Sequence, residues 1–136
     1  MPDQKTLRKA REDLRRGKKP STAAGEFVRE EMDHVREGKH GARSTKQAIA
    51  IGLSKARRAG VPLAPPKKGT TSERTRKSAK RAYEEGQGRR EPRSPSRKRS
   101  RATRRALQRE PHRAASKRAL SRQAKSAARR RKARGR

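Results

Sequence analysis

The chain has 136 residues and carries 44 Lys and Arg against 13 Asp and Glu, a formal net charge of +31 at neutral pH. Leu, Ile, Val and Phe fill only 12 positions, about 9% against the roughly 20% below which a highly charged chain is expected to stay disordered. With one Phe, one Tyr, no Trp and no Cys, the composition argues against an apolar active-site cavity, a disulfide framework, a thiol nucleophile and a Cys-based zinc site. The expectation is a non-catalytic protein without a cofactor.

The opening Met1-Pro2-Asp3-Gln4-Lys5 lacks the apolar run of a secretory signal, and no stretch is long and apolar enough to span a bilayer. The chain therefore reads as soluble, intracellular and not inserted in membranes, with polyanions as its natural partners.

Residues 1–62 hold 16 basic and 8 acidic residues, net +8, and residues 63–136 hold 28 and 5, net +23. The large apolar residues divide the other way. Leu7, Leu14, Phe27, Val28, Met32, Val35, Ile49, Ile51, Leu53 and Val61 fall in the first part, and Leu63, Tyr83, Leu107 and Leu120 in the second.

Leu7, Ala10 and Leu14 form one stripe of a helix over about 3–16, which Gly17 ends in the left-handed conformation. A second helix starts on Ser21 or Thr22 as N-cap, runs on a Val28, Met32 and Val35 stripe, and closes at Gly38. In the third, Ser44 and Gln47 form a capping box, Ile49, Leu53 and Ala56 with Gly52 make the stripe, and Gly60 ends it. Ile51 points off that stripe, either plainly exposed or as part of a self-association surface.

Residues 63–69 read as a Pro-stiffened linker, and 70–86 as a polar helix opened by a Thr70 to Glu73 capping box with Tyr83 as its sizeable anchor. From 87 to 136 the composition is Arg, Lys, Ser and Ala, with Pro111 dividing two stretches of high helix propensity, 97–110 and 112–134. Charge on every face predicts that both stay largely unfolded until phosphate neutralises them. The fold class is all-α: a small N-terminal helical hairpin or three-helix bundle, marginal in size, followed by a largely disordered basic tail with conditional helices.

The run Gly-Lys-His-Gly-Ala-Arg-Ser-Thr-Lys-Gln-Ala-Ile-Ala over 38–50, with the Pro-Ser-Thr-Ala-Ala-Gly-Glu-Phe-Val-Arg-Glu-Glu-Met segment over 20–32, resembles a family of small basic bacterial proteins with an N-terminal domain of unknown function. The resemblance implies a bacterial cytoplasm and supplies no activity. The tail is similar in composition to the tails of linker histones and bacterial histone-like proteins.

The candidate nucleic-acid contacts in the tail are Arg97, Lys98, Arg99, Arg101, Arg104, Arg105, Arg113, Lys117, Arg118, Arg122, Lys125, Arg129, Arg130, Arg131, Lys132 and Arg134, followed by Arg136. Each phosphate contact releases condensed counterions, so affinity needs number rather than fixed geometry. Lys46, Arg57 and Arg58 flank the third helix's stripe and join the set. Ser94-Pro95-Ser96-Arg97 has the Ser-Pro-x-basic form of histone tails, or is a plain linker between basic blocks.

The second and third helices could also form a helix-turn-helix with Thr45, Lys46 and Gln47 at base edges, but the intervening turn is long for that motif. With Phe27 and Tyr83 alone, single-strand stacking is disfavoured. Glu30, His34 and Glu37 read as a solvated acid-rich face rather than a metal site. The function expected is sequence-nonspecific DNA binding of a histone-like, nucleoid-associated kind, DNA being favoured over RNA. Alternatives are an RNA- or ribosome-associated basic protein and a protein-interaction module with a polyanion-binding tail.

Overall fold

A computed structural model describes residues 2–94 and 96–135. It is all-helical: α1 Gln4–Arg15, α2 Pro20–Arg36, α3 Thr45–Arg58, α4 Glu73–Gly86, α5 Arg97–Arg109 and α6 Lys117–Arg134, with a 3-10 turn at Arg113–Ala115 before α6. Among the described residues there is no strand, only an isolated bridge between Lys68 and Thr71. None of their helices is long and apolar enough to cross a membrane. The chain forms two compact units, Met1–Glu31 with Ala50–Ser94 and Met32–Ile49 with Pro95–Arg136.

In the first unit, Phe27 is fully buried among Ala10, Ala23, Ala24, Ala56 and Val61, with Leu7, Leu14, Leu53 and Leu63 packed around them. The core is made mostly of alanines, so its helices approach closely. A Cβ at Gly52 would lie 2.7 Å from the Val28 Cα, and one at Gly86 would collide with the Arg57 carbonyl oxygen. Gln87 Nε2 donates to the Gly60 carbonyl at 3.1 Å, tying the end of α4 to the end of α3.

The stops expected after α1, α2 and α3 are present: Gly17, Gly38 and Gly60 have φ of 79°, 80° and 101°, a region costly for any residue with a Cβ. The start of α2 differs from expectation. Pro20 is its first residue, and the Lys19 carbonyl accepts from Thr22 and Ala23 N–H; proline's fixed φ and missing N–H suit the first helical position. The start of α4 is also displaced, since Ser72 is the N-cap and its Oγ accepts from Thr75 N–H at 3.2 Å.

Of the face expected to be solvated, Glu37 is exposed but Glu30 is buried, and its neighbour Glu31 is buried with it. Glu30 is 5% exposed, and its Oε1 accepts from Asp3 N–H at 2.6 Å and Thr6 Oγ1 at 3.2 Å. Glu31 is fully buried and paired with the Lys55 ammonium. They sit beside Phe27 on the inward face of α2, where the carboxylates hold the amino-terminal turn and α3. The segment expected as a linker forms no helix, and Arg57 straps it by donating to the carbonyls of Leu63 at 3.2 Å and Ala64 at 3.1 Å.

In the second unit, Met32, Val35, Ala42, Ala48, Ala114 and Ala115 are buried. The expectation of a largely disordered tail is corrected here: α5 and α6 are formed helices. Three physical reasons account for it. Ser96 and Ser116 cap them, accepting from Arg99 and Ala119 N–H at 3.1 Å each, each cap being worth about 1 kcal/mol. The connection between them is held by backbone partners, Gly41 N–H to the Leu107 carbonyl at 2.8 Å and Ala42 N–H to the Pro111 carbonyl at 3.0 Å. Arg36 Nε and Thr45 Oγ1 donate to the carbonyls of Ala115 and Ala114 at 2.8 and 2.6 Å. Pro95 and Arg136, part of the expected binding segment, lie outside the described residues.

Candidate nucleic-acid interface

Nine of the 18 residues of α6 are Lys or Arg, and their placement is one-sided. Arg118, Arg122, Lys125, Arg129 and Lys132 recur at i, i+4, i+7, i+11 and i+14, which at 3.6 residues per turn is a single stripe about 21 Å long. All five are exposed, whereas Ala119, Leu120, Gln123, Ser126 and Ala127 on the other side are half-buried. Lys117, Arg130, Arg131 and Arg134 lie beside the stripe and are exposed as well.

On α5, Arg97, Arg101 and Arg104 share a face, Lys98 and Arg105 flank it, and Arg99 lies opposite; all are exposed, as is Arg113 in the 3-10 turn. Among the described residues, no cation of α5 or α6 makes an ion pair, and Glu110 is the one acid between 97 and 134. Seventeen Lys and Arg in that span therefore face solvent with their charge uncompensated.

The fold brings two distant candidates together. Ser44, Thr45 and Lys46 in the first turn of α3, with Ala119, Arg122, Gln123 and Ser126 of α6, line an open groove of about 340 Å³. Lys46 of α3 and Arg122 of α6 are the two cations that line it. The expected capping box is formed in part: Ser44 Oγ accepts from Gln47 N–H at 3.1 Å, while the Gln47 side-chain oxygen accepts from Arg43 N–H at 2.6 Å. With Thr45 bonded to Ala114, two of the three side chains that a helix-turn-helix would present to bases are occupied by the protein's own backbone.

Arg57 and Arg58 stand apart. Arg57 is 7% exposed, its guanidinium is spent on backbone carbonyls, and burial lowers its pKa from the ordinary guanidinium value. Its role is a strap rather than a phosphate contact. Arg58 is exposed and lies 3.8 Å from Glu85, which also pairs with Arg81.

Sequence reading missed one set of cations. Arg8, Arg11 and Arg15 of α1 are exposed on the flank of the helix next to Leu7, Ala10 and Leu14, each arginine following one residue of that stripe, and make no ion pair. Their i, i+3, i+7 spacing was the signal, overshadowed by the density of the tail.

No curated protein and no solved structure matches the chain. Residues 5–68, which span α1 to α3 and stop short of the basic helices, match the model of a family of unknown function, DUF6496, so that the N-terminal part of the chain is a domain of unknown function.

Proposed function

We propose that the protein is a non-catalytic, largely sequence-nonspecific DNA-binding protein of histone-like character, associated with the nucleoid in a bacterial cytoplasm and acting by neutralising phosphates. The observation that carries this reading is the five-cation stripe of α6, exposed, free of acids and opposite the helix's half-buried face. Duplex DNA carries one charge per about 1.7 Å of axis and a condensed counterion atmosphere, so a rod of cations about 21 Å long has many phosphates within reach. The scarcity of aromatic side chains favours a duplex over an unstacked single strand. The occupied side chains of Thr45 and Gln47 favour backbone contact over base readout.

The test is the salt dependence of duplex binding by the full chain. With about 8 to 12 phosphate contacts, log K falls against log salt with a slope of about −7 to −11. Replacing Arg118, Arg122, Lys125, Arg129 and Lys132 by Gln reduces the steepness by about 4.5. A shallow slope in the native chain, or an unchanged slope in the variant, defeats the mechanism. Stronger salt-resistant retention on ribosomes than on DNA would move the target to RNA.

A further inference from the structure

The first compact unit carries a cation stripe of its own. Arg8, Arg11 and Arg15 lie along about 10 Å of one face of α1. The adjoining stripe, Leu7, Ala10 and Leu14, each one position before an arginine, packs into the core around Phe27 and fixes where the exposed arginines stand on the surface. The acid nearest them in the helix, Glu12, is engaged by Arg16 at 2.7 Å. Lys18 is likewise taken up by Asp13, at 3.4 Å. The cations of α1 left without an ion pair are Lys5, Lys9 and the three arginines, and the arginines form a regular row of guanidiniums, the group best suited to phosphate oxygens.

Solubility alone does not call for this row. The first unit holds 22 basic and 10 acidic residues, net +12, beyond the magnitude of about 2 to 8 that keeps a small domain soluble. The second unit holds 22 and 3, net +19, and carries the α6 stripe. Each compact unit therefore presents a helical row of cations without ion-pair partners, the two being joined covalently.

We infer that the α1 row is a second, independent duplex-binding face, and that one chain bridges two DNA segments, α6 holding one and α1 the other. This rests on the proposed DNA-binding function. Once α6 is bound, the second contact forms at the raised local concentration of phosphate that tethering provides, so three cations suffice where they would bind weakly alone.

The experiment uses the full-length chain and two duplexes of unrelated sequence, one tethered to beads and the other labelled and free. Capture of the labelled duplex reports bridging, and binding to the tethered duplex alone reports simple association. The native chain captures the second duplex. The R8Q/R11Q/R15Q variant binds a single duplex with the native salt slope but captures the second about a hundredfold less well at about 0.1 M salt. The R8K/R11K/R15K variant, which keeps the charge, restores capture. Circular dichroism and sedimentation of both variants match the native chain, because the three positions are exposed.

Native-level capture by the glutamine variant overturns the inference, since bridging would then arise elsewhere, for example by self-association. Single-duplex binding without any capture by the native chain overturns it too. Absence of salt-sensitive binding to one duplex is a different failure, that of the DNA-binding reading itself.

Discussion

Both compact units are strongly basic, yet they handle their charge in different ways. In the first, cations are repeatedly answered by acids: Arg16 by Glu12, Lys18 by Asp13, Lys55 by Glu31, Arg58 and Arg81 by Glu85, Arg76 by Glu73, and Arg90 by Glu84. In the second, the cations of α5 and α6 stand without such partners, and what holds those helices is serine caps and backbone hydrogen bonds. The difference teaches that charge in this chain is structural where it is buried or paired, and available to a partner where it is arranged in rows. Lys55 and Arg57 belong to the first kind, Arg8 and Arg122 to the second.

Glycines at close contacts give the sharpest way to separate the units. A Cβ at Gly86 meets the Arg57 carbonyl, and one at Gly41 meets the Glu110 carbonyl. Gly86→Ala and Gly41→Ala are each expected to cost about 3 kcal/mol or more. Hydrogen exchange should show protection lost first in α4 for one variant and in α5 for the other; simultaneous loss throughout the chain would show a single cooperative block.

Next in size is Lys55→Met, which removes the ammonium facing a fully buried carboxylate and should cost about 3 kcal/mol in urea unfolding. Arg57→Met loses the strap on Leu63 and Ala64, a cost of about 2 kcal/mol, while leaving the salt slope of DNA binding unchanged. A slope that becomes less steep would return Arg57 to the binding surface.

The α6 glutamine variant tests the comparison in the opposite direction. Its substitutions relieve four i, i+3 or i, i+4 repulsions, so the helix should gain about 1 kcal/mol while DNA binding weakens. Loss of stability in that variant would show that the row is structural after all.

The smallest effect concerns pH at the start of α4. A hydrogen bond from Arg76 and its charge hold Glu73 below the ordinary carboxylate range. The stabilisation is complete above the unfolded carboxyl's pKa and fades as pH falls through the lower folded value. Acid fraying of the first turn of α4, followed by amide chemical shifts, should therefore set in below the pH range in which an unfolded glutamate carboxyl titrates, and Glu73→Gln should abolish the dependence.

How much of this was legible in the sequence depended on whether the signal was local. Helix ends at Gly17, Gly38 and Gly60 and the cap at Ser44 follow from backbone sterics and neighbouring side chains, so they could be read directly. The burial of Glu30 and Glu31 could not, because their partners Asp3, Thr6 and Lys55 lie 24 or more positions away. The basic helices were misjudged because repulsion was weighed without their distant backbone partners, Gly41, Ala42 and Thr45. The cations of the tail were evident from composition, but which of them form a row and which line a groove with Lys46 required the fold.

The close backbone approaches at Gly41, Gly52 and Gly86 have a consequence for how the protein tolerates change. In most small domains the damaging substitutions subtract atoms from large core side chains. Here, where alanine and glycine fill the contacts, there is little to subtract, and the vulnerable direction is addition: a single methyl group at three positions does more harm than trimming most leucines. Under random mutation, then, the fragile sites are those whose side chains are already the smallest.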